Sequence, residues 1–272
     1  MLAADAAASA VVERRDGFYL RHRARIRGAV TFIYLIIVWE LAARYLVRDE
    51  RILAPFAKVI AALGNLFATG AIWQHASVSG YEFAAGFGLA AVVGVAVGFL
   101  MGTVRAAREY LDPWIAALYS APLVALAPFF IMFFGVGVAA KVALVFSVAV
   151  FPIIVNTFAG VYSVDPSFIE VARSFNATRA QILCKVLVPY SLSYIVTGLR
   201  LGVGRGLTGV VVGEFFFANA GLGFLVALAG QTFNTPLLFA GILVFAAAGV
   251  AITAGLKLLE QKLAPWRELQ QE

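Results

Sequence analysis

Residues 165–189 read DPSFIEVARSFNATRAQILCKVLVP. Here a chain of otherwise almost unbroken apolar sequence turns polar, charged and capped. Asp165 followed by Pro166 is a helix start: a carboxylate that accepts from free backbone N–H groups, then a proline where no donor is missed. Phe168, Val171, Ala172 and Phe175 fall at i, i+3, i+4 and i+7 and predict one apolar stripe. Ser167, Glu170, Arg173 and Ser174 occupy the other side. Asn176 stands where that helix should end, because asparagine most readily replaces glycine in the left-handed conformation. After Ala177, Thr178 and Gln181 make a capping box for a second helix, which carries Arg179 and runs towards Pro189. The expectation over 165–188 is two short helices joined by a tight left-handed turn. Helices this short are marginal alone in water, so the pair must dock on something. Two readings fit: an interfacial pair lying on lipid, with Arg179 and Lys185 reaching phosphates, or a knob seated in a groove of a second protein.

The surroundings decide the class. Of 272 residues, 62% are hydrophobic and 13% charged, and the mean hydropathy is +0.91. Soluble domains carry about a quarter of their residues as charges, and no soluble core of this length hides so much apolar surface. An integral membrane protein is expected. The segment from Met1 to Arg27 is basic and broken by charges, which does not match a cleavable signal peptide. One cysteine, Cys184, leaves no internal disulfide or cysteine metal site. His22 and His75 lie far apart, without the placed partners that a catalytic or ligand histidine needs. The net charge of +6 flanks apolar segments and does not form one basic face, so no nucleic-acid partner is expected.

Crossing the hydrocarbon core takes about 20 mostly apolar residues. Six stretches qualify: Gly28 to Leu46, Ser77 to Thr103, Pro113 to Gly135, Ala140 to Tyr162, Tyr190 to Phe216 and Pro236 to Leu259. The fold class expected is all-α, a polytopic membrane protein of six transmembrane helices. Its parts are a basic segment 1–27, a transmembrane domain 28–260 containing the helix pair 165–188, and a tail 261–272. One side of the membrane receives Arg14, Arg15, Arg21, Arg23, Arg25, Arg27, Arg105, Arg108, Arg173, Arg179, Lys185, Lys257, Lys262 and Arg267. The other receives Arg44, Arg48, Arg51, Lys58 and Lys141. The excess of positive charge marks the cytoplasm, so both termini and the helix pair are expected there. On the opposite side, AKVIAALGNLFATG within Arg48–Gln74 predicts a surface helix. Residues 218–235 are too short to cross twice and suggest a half-helix or re-entrant turn.

Two spans are glycine-rich. Gly94, Gly98 and Gly102 recur every four residues, as do Gly198, Gly202 and Gly206, so neighbouring backbones can approach closely. Tight bundle packing and a moving interface in a transport path are both compatible with this. Pro122, Pro128 and Pro152 predict kinks whose freed carbonyls must be satisfied by protein or water.

The opening stretch resembles the signature of bacterial ABC-importer permeases: Glu-Ala-Ala, three residues, Gly, nine residues, Ile-x-Leu-Pro. Glu170, Val171 and Ala172 take the first places, Asn176 stands for Gly, and Val186, Leu187, Val188 and Pro189 complete the motif. The segments LDPWIAALYSAPLVALAPFFIMFFGVG, FPIIVNTFAGVYSVDPSFIEVARS and GLRLGVGRGLTGVVVGEFFFANAGLGFLV are similar to the nitrate/sulfonate/taurine branch. The resemblance covers roughly residues 75–260. It implies the type I importer fold, with residues 165–188 as a cytoplasmic coupling helix. It also implies a second permease copy, two ATPase subunits, an external substrate-binding protein and a bacterial inner (cytoplasmic) membrane. Glu170, Ala172, Arg173, Ser174, Asn176, Ala177, Thr178 and Arg179 are then the residues expected at the ATPase contact. The chain carries no G-x-x-x-x-G-K-[ST] phosphate loop, so ATP and Mg²⁺ are expected in the partner and no cofactor in this chain. It is not itself expected to be an enzyme.

Arg205, Glu214, Asn156 and Met132 are the candidates for the translocation path. Arg205 and Glu214 are nine residues apart, about 13 Å of rise and half a turn out of phase, so they cannot pair on one straight helix. Arg200 and Arg205 are readable as structural ion pairs, or, for Arg205, as a positive potential along the path of an anionic or polar solute. Glu40 and Arg44, four apart, can pair on one face. The alternative function is a stand-alone secondary transporter or channel. That class favours inverted repeats and midplane carboxylate pairs, neither of which is visible. A membrane enzyme would need a cluster of His, Asp or Glu near one leaflet, which is also absent from the sequence pattern.

Overall fold

The computed structural model describes residues 27–263. The expected basic segment before Arg27 and most of the tail, with Arg14, Arg15, Arg21, His22, Arg23, Arg25 and Arg267, lie outside the described residues. Helix α1 covers Arg27–Val47 and ends in a wider π-type turn, Ala42–Val47. It is followed by α2 (Phe56–Ala68), α3 (Ala71–Thr103), α4 (Arg105–Ser120), α5 (Ala127–Phe134), α6 (Val138–Tyr162) and α7 (Pro166–Ser174). The remainder is α8 (Arg179–Ile182), α9 (Val188–Phe217), α10 (Leu222–Gln231) and α11 (Thr235–Leu263). No strand occurs among the described residues.

The glycines fix how the spans pack. A Cβ on Gly86, Gly94, Gly98 or Gly102 of α3 would strike Val145, Ile153, Thr157 or Val161 of α6, each within 2.5–2.8 Å. The two series rise together, so α3 and α6 are parallel neighbours in contact along their length. On an adjoining face of α6, Gly198 faces Asn156, Gly202 faces Ile153, Gly209 faces Val145 and Gly213 faces Lys141. These series run oppositely, so α9 is antiparallel. The centre of the bundle is the triad α3, α6 and α9, in which α3 and α9 also meet at Phe83 and Gly206 and Leu144, Val145, Ala149 and Ile153 of α6 are almost fully buried. Tight packing by small residues is thus what both glycine stripes do.

Parallel α3 and α6 oblige residues 104–137 to travel back along the bundle. The span expected over Pro113–Gly135 as one helix is corrected here: α4 and the stretch Leu123–Phe134 meet at an 84° bend. The cause is local. Pro122 cannot supply an N–H and holds Ala121 extended (ψ 145°), as a residue before proline must be. Pro128 then sits in the first turn of α5, where a missing donor costs nothing. Counting this bent pair as one crossing, the described chain has six spans: α1, α3, α4 with α5, α6, α9 and α11. Pro152 leaves α6 continuous. Glu40 bonds Arg44 at 2.6 Å, the pair expected from their spacing, and Arg200 of α9 bonds Glu260 of α11 at 2.5 Å, a partner that the sequence reading does not name. The predicted surface helix is α2, which buries Val59 and Leu66 in a cluster with Ile72, Leu225 and Ala240. Trp39 of α1 joins this cluster and donates its indole N–H to the Ala54 carbonyl at 3.0 Å.

Candidate functional site

The ends of α3 and α6 and the start of α9 meet at one end of the bundle, and α7 and α8 cover that end. Asp165 accepts from the Ser167 N–H at 2.8 Å, and that bond holds its carboxyl below the usual carboxylate range. At the far end of α7, Asn176 adopts φ 55°. Its N–H donates to the Arg173 carbonyl at 2.8 Å, and the Ala177 N–H donates to Ala172 at 3.1 Å. These two bonds define a Schellman stop. Thr178 and Gln181 form the expected reciprocal box. The second helix differs from the sequence expectation in one respect. It does not end before the fifth span but runs through a π-type turn, Leu183–Leu187, directly into α9.

The apolar stripe of α7 is also corrected. Ala172 does not share a face with Phe168, Val171 and Phe175. It turns inward with Ile169 and Ala177 against a cluster of Val161, Val164, Ile182 and Leu187. Phe168, Val171 and Phe175 point away, 55%, 57% and 83% exposed, beside the exposed Glu170, Arg173, Ser174, Asn176, Thr178 and Arg179. A nine-residue helix has too few residues for two filled faces. Ile169 takes the inner one because it points at the bundle.

The four path candidates are not gathered into one place. Met132 is 87% exposed on α5. Asn156 is half-buried and donates its amide N–H to the Pro152 carbonyl at 2.8 Å, within its own helix. Arg205 is exposed midway along α9 and has no ion-pair partner among the described residues. It shares a free face with Tyr190, Tyr194, Leu201 and Thr208. Gly204 on that face meets nothing within 4 Å. Glu214 is fully enclosed at the opposite end of the bundle from α7.

There Glu214 holds the start of α10. Its carboxylate accepts from the Gly223 N–H at 2.5 Å and from the Ser79 hydroxyl at 2.6 Å. Ser79 in turn accepts from the Leu222 N–H at 2.8 Å, and His75 Nδ1 accepts from Gly221 at 3.1 Å. Three consecutive N–H groups at a helix N-terminus, where the backbone dipole favours negative charge, are therefore satisfied by α3 and α9. Glu82, fully buried beside Glu214, is ion-paired with Lys141 of α6.

This bundle can be compared with known proteins. Residues 90–265 match the family described as "Binding-protein-dependent transport system inner membrane component". The chain belongs to that family. It is an ABC-importer permease of the sulfonate/taurine branch and a multi-pass membrane protein. Over 242 residues the permease is 33% identical to the provisionally named aliphatic sulfonates transport permease protein SsuC of Bacillus subtilis, covering 89% of this chain and 88% of that one. Over 241 residues it is 33% identical to the taurine transport system permease protein TauC of Escherichia coli, covering 87% and 88%. A solved structure of inward-facing conformations of the MetNI methionine ABC transporter shares the fold. Its TM-score is 0.57 at 20% identity, covering 72% of the permease and 95% of that chain.

Sequence reasoning about the permease anticipated the capped helix pair of residues 165–188 but missed Ser79 and gave Glu82 and Lys141 no role. It expected no carboxylate pair at the midplane. The structure does bring two carboxylates together, Glu82 and Glu214, towards the α10 end, with Lys141 as counter-charge. Their separations in sequence leave no periodic trace. The only available signal was that ionisable groups inside spans require partners.

Proposed function

We propose that two copies of this permease form the path for a small anionic solute of the sulfonate or taurine kind. ATPase subunits drive the pair by gripping α7 and α8, and an external binding protein supplies solute at the α10 end. Both termini and α7 then face the cytoplasm, in keeping with fourteen Lys and Arg on that side against five on the other. The carrying observation is the outer face of α7. Phe168, Val171 and Phe175 stand exposed on a peg stopped at both ends by caps and anchored by Ile169 and Ala172. A capped helix with an apolar ridge and a polar rim suits insertion into a protein groove. Its rigidity lets ATP-driven movement of that groove pass to α9 without being absorbed in a loop. Glu170, Arg173, Ser174, Asn176, Thr178 and Arg179 supply the rim, and Ala172 and Ala177 the anchor.

The free face of α9 supports the path. An arginine in mid-span costs at least about 2.5–3.5 kcal/mol against lipid, so Arg205 belongs against water or a second copy. There its charge draws an anion without enclosing it, as a path that must also release its cargo requires. Co-purification with the ATPase tests the reading. Wild type should hydrolyse ATP when loaded binding protein is added, and Val171→Asp with Phe175→Asp should reduce ATPase recovery about tenfold or more. Unchanged recovery, or solute uptake by this polypeptide alone without ATP, would overturn it.

A further inference from the structure

A groove of about 530 Å³ lies between the last turns of α3 and α6 and the α7–α8 pair. Val161, Ile182 and Leu187 form its buried floor. Arg173 and Arg179, both exposed, form its rim, and none of its lining residues is acidic. Neither arginine has an ion-pair partner among the described residues, and what sets the two apart is that both line this one groove. The remaining polar side chain, Thr103, donates its hydroxyl to the Phe99 carbonyl.

Two chemistries thus adjoin: a pair of guanidinium groups and an aliphatic trough, at the level where two spans end. Guanidinium groups match phosphate oxygens in paired hydrogen bonds. A free phosphate would leave the trough bare, and an acidic peptide would do the same. An amphiphile with an anionic head satisfies both halves, and basic pockets between helices at a membrane boundary bind such headgroups. We propose that this groove binds one anionic phospholipid per permease copy. The phosphate sits between Arg173 and Arg179, and an acyl chain lies along Val161, Ile182 and Leu187. The lipid then wedges α7 against α3 and α6, stiffening the peg from behind. The inference rests on the proposed function, since Arg173 and Arg179 also stand on the rim offered there to the ATPase: the lipid must meet them from the groove side while the ATPase meets α7 on its Phe168, Val171 and Phe175 face.

Native mass spectrometry of the importer complex, exchanged into phosphatidylglycerol or phosphatidylethanolamine, tests this. Wild type should retain one phosphatidylglycerol per permease copy, about tenfold more readily than phosphatidylethanolamine. Arg173→Gln with Arg179→Gln should cut retention about tenfold. Leu183→Trp, which narrows the groove while leaving both arginines, should lower it even where the double variant fails to assemble. Equal retention of the two lipids, or retention unmoved by both variants, would overturn the proposal. Displacement by excess inorganic phosphate would assign the site to a free anion instead. Loss of lipid when ATPase subunits join the full-length permease would assign the arginines to acidic groups of the ATPase.

Discussion

Asn176 shows how far one residue can be argued from sequence. The importer signature has glycine at this position, and the structure gives the reason in a backbone angle, φ 55°. The stop of α7 is made by backbone bonds from Asn176 and Ala177, so the side chain need only tolerate the left-handed region. Asparagine does so at little cost, whereas most residues lose about 1–2 kcal/mol there. Asn176→Gly should therefore preserve assembly with the ATPase. Asn176→Val, β-branched and unable to relax, should destabilise the α7–α8 turn by about 1–2 kcal/mol and lower ATPase recovery several-fold. Equal recovery of the two variants would show that the turn angle is irrelevant to docking. This much was legible because capping chemistry is local: Asp165, Asn176, Thr178 and Gln181 act within four residues of themselves. The direction of Ala172 was not legible. The spacing that puts it near Phe168 and Val171 also puts it near Ile169, and only the position of Val161 and Ile182 selects between the faces.

Among the elements, α10 depends most on its neighbours. Ten residues cannot hold a helix in place unaided. Its N-terminus is instead tied down by Glu214, Ser79 and His75. Gly221 makes the approach possible. Its φ of 126° lies outside what side chains tolerate, and a Cβ there would collide with the Glu214 carboxylate. Gly221→Ala should thus release the start of α10, seen as faster proteolysis or hydrogen exchange over residues 218–231 while the α7–α8 end stays protected. Glu214→Gln keeps an acceptor for the Gly223 N–H and should be the milder change, with Glu214→Ala close to Gly221→Ala in effect. Uniform protection in all three variants would mean that α10 is held by its apolar face alone. The sequence showed a short glycine-flanked element here, but not its clasp, because Ser79 and Leu222 are 143 positions apart. The break between α4 and α5 was half legible. Prolines marked the site, yet hydropathy alone cannot distinguish one kinked span from two short helices meeting at 84°.

At the scale of the whole molecule the governing feature is the α3–α6–α9 contact, since it joins the α7 end to the α10 end. Glycines on α3 and α9 bring both helices within van der Waals range of the α6 backbone. Without them the three could not touch along their length, and movement imposed at α7 would be lost in slack packing. The proposal that force entering at α7 reaches the path along α9 rests on that contact. Two glycines of α3 separate packing from mere flexibility. A Cβ on Gly98 would lie 2.6 Å from the Thr157 Cβ and 2.9 Å from the Ile154 carbonyl, whereas one on Gly88 meets nothing within 4 Å. Gly98→Ala forces the helices apart and should cost about 1–3 kcal/mol, the usual penalty of overpacking. That cost should appear as a lower melting temperature of the purified permease and as ATP hydrolysis that no longer answers to loaded binding protein. Gly88→Ala removes the same backbone freedom without a clash and should leave both properties intact or slightly improved. If the two variants behaved alike, the glycines of α3 would be acting through helix flexibility, and close contact with α6 would not be what carries the coupling.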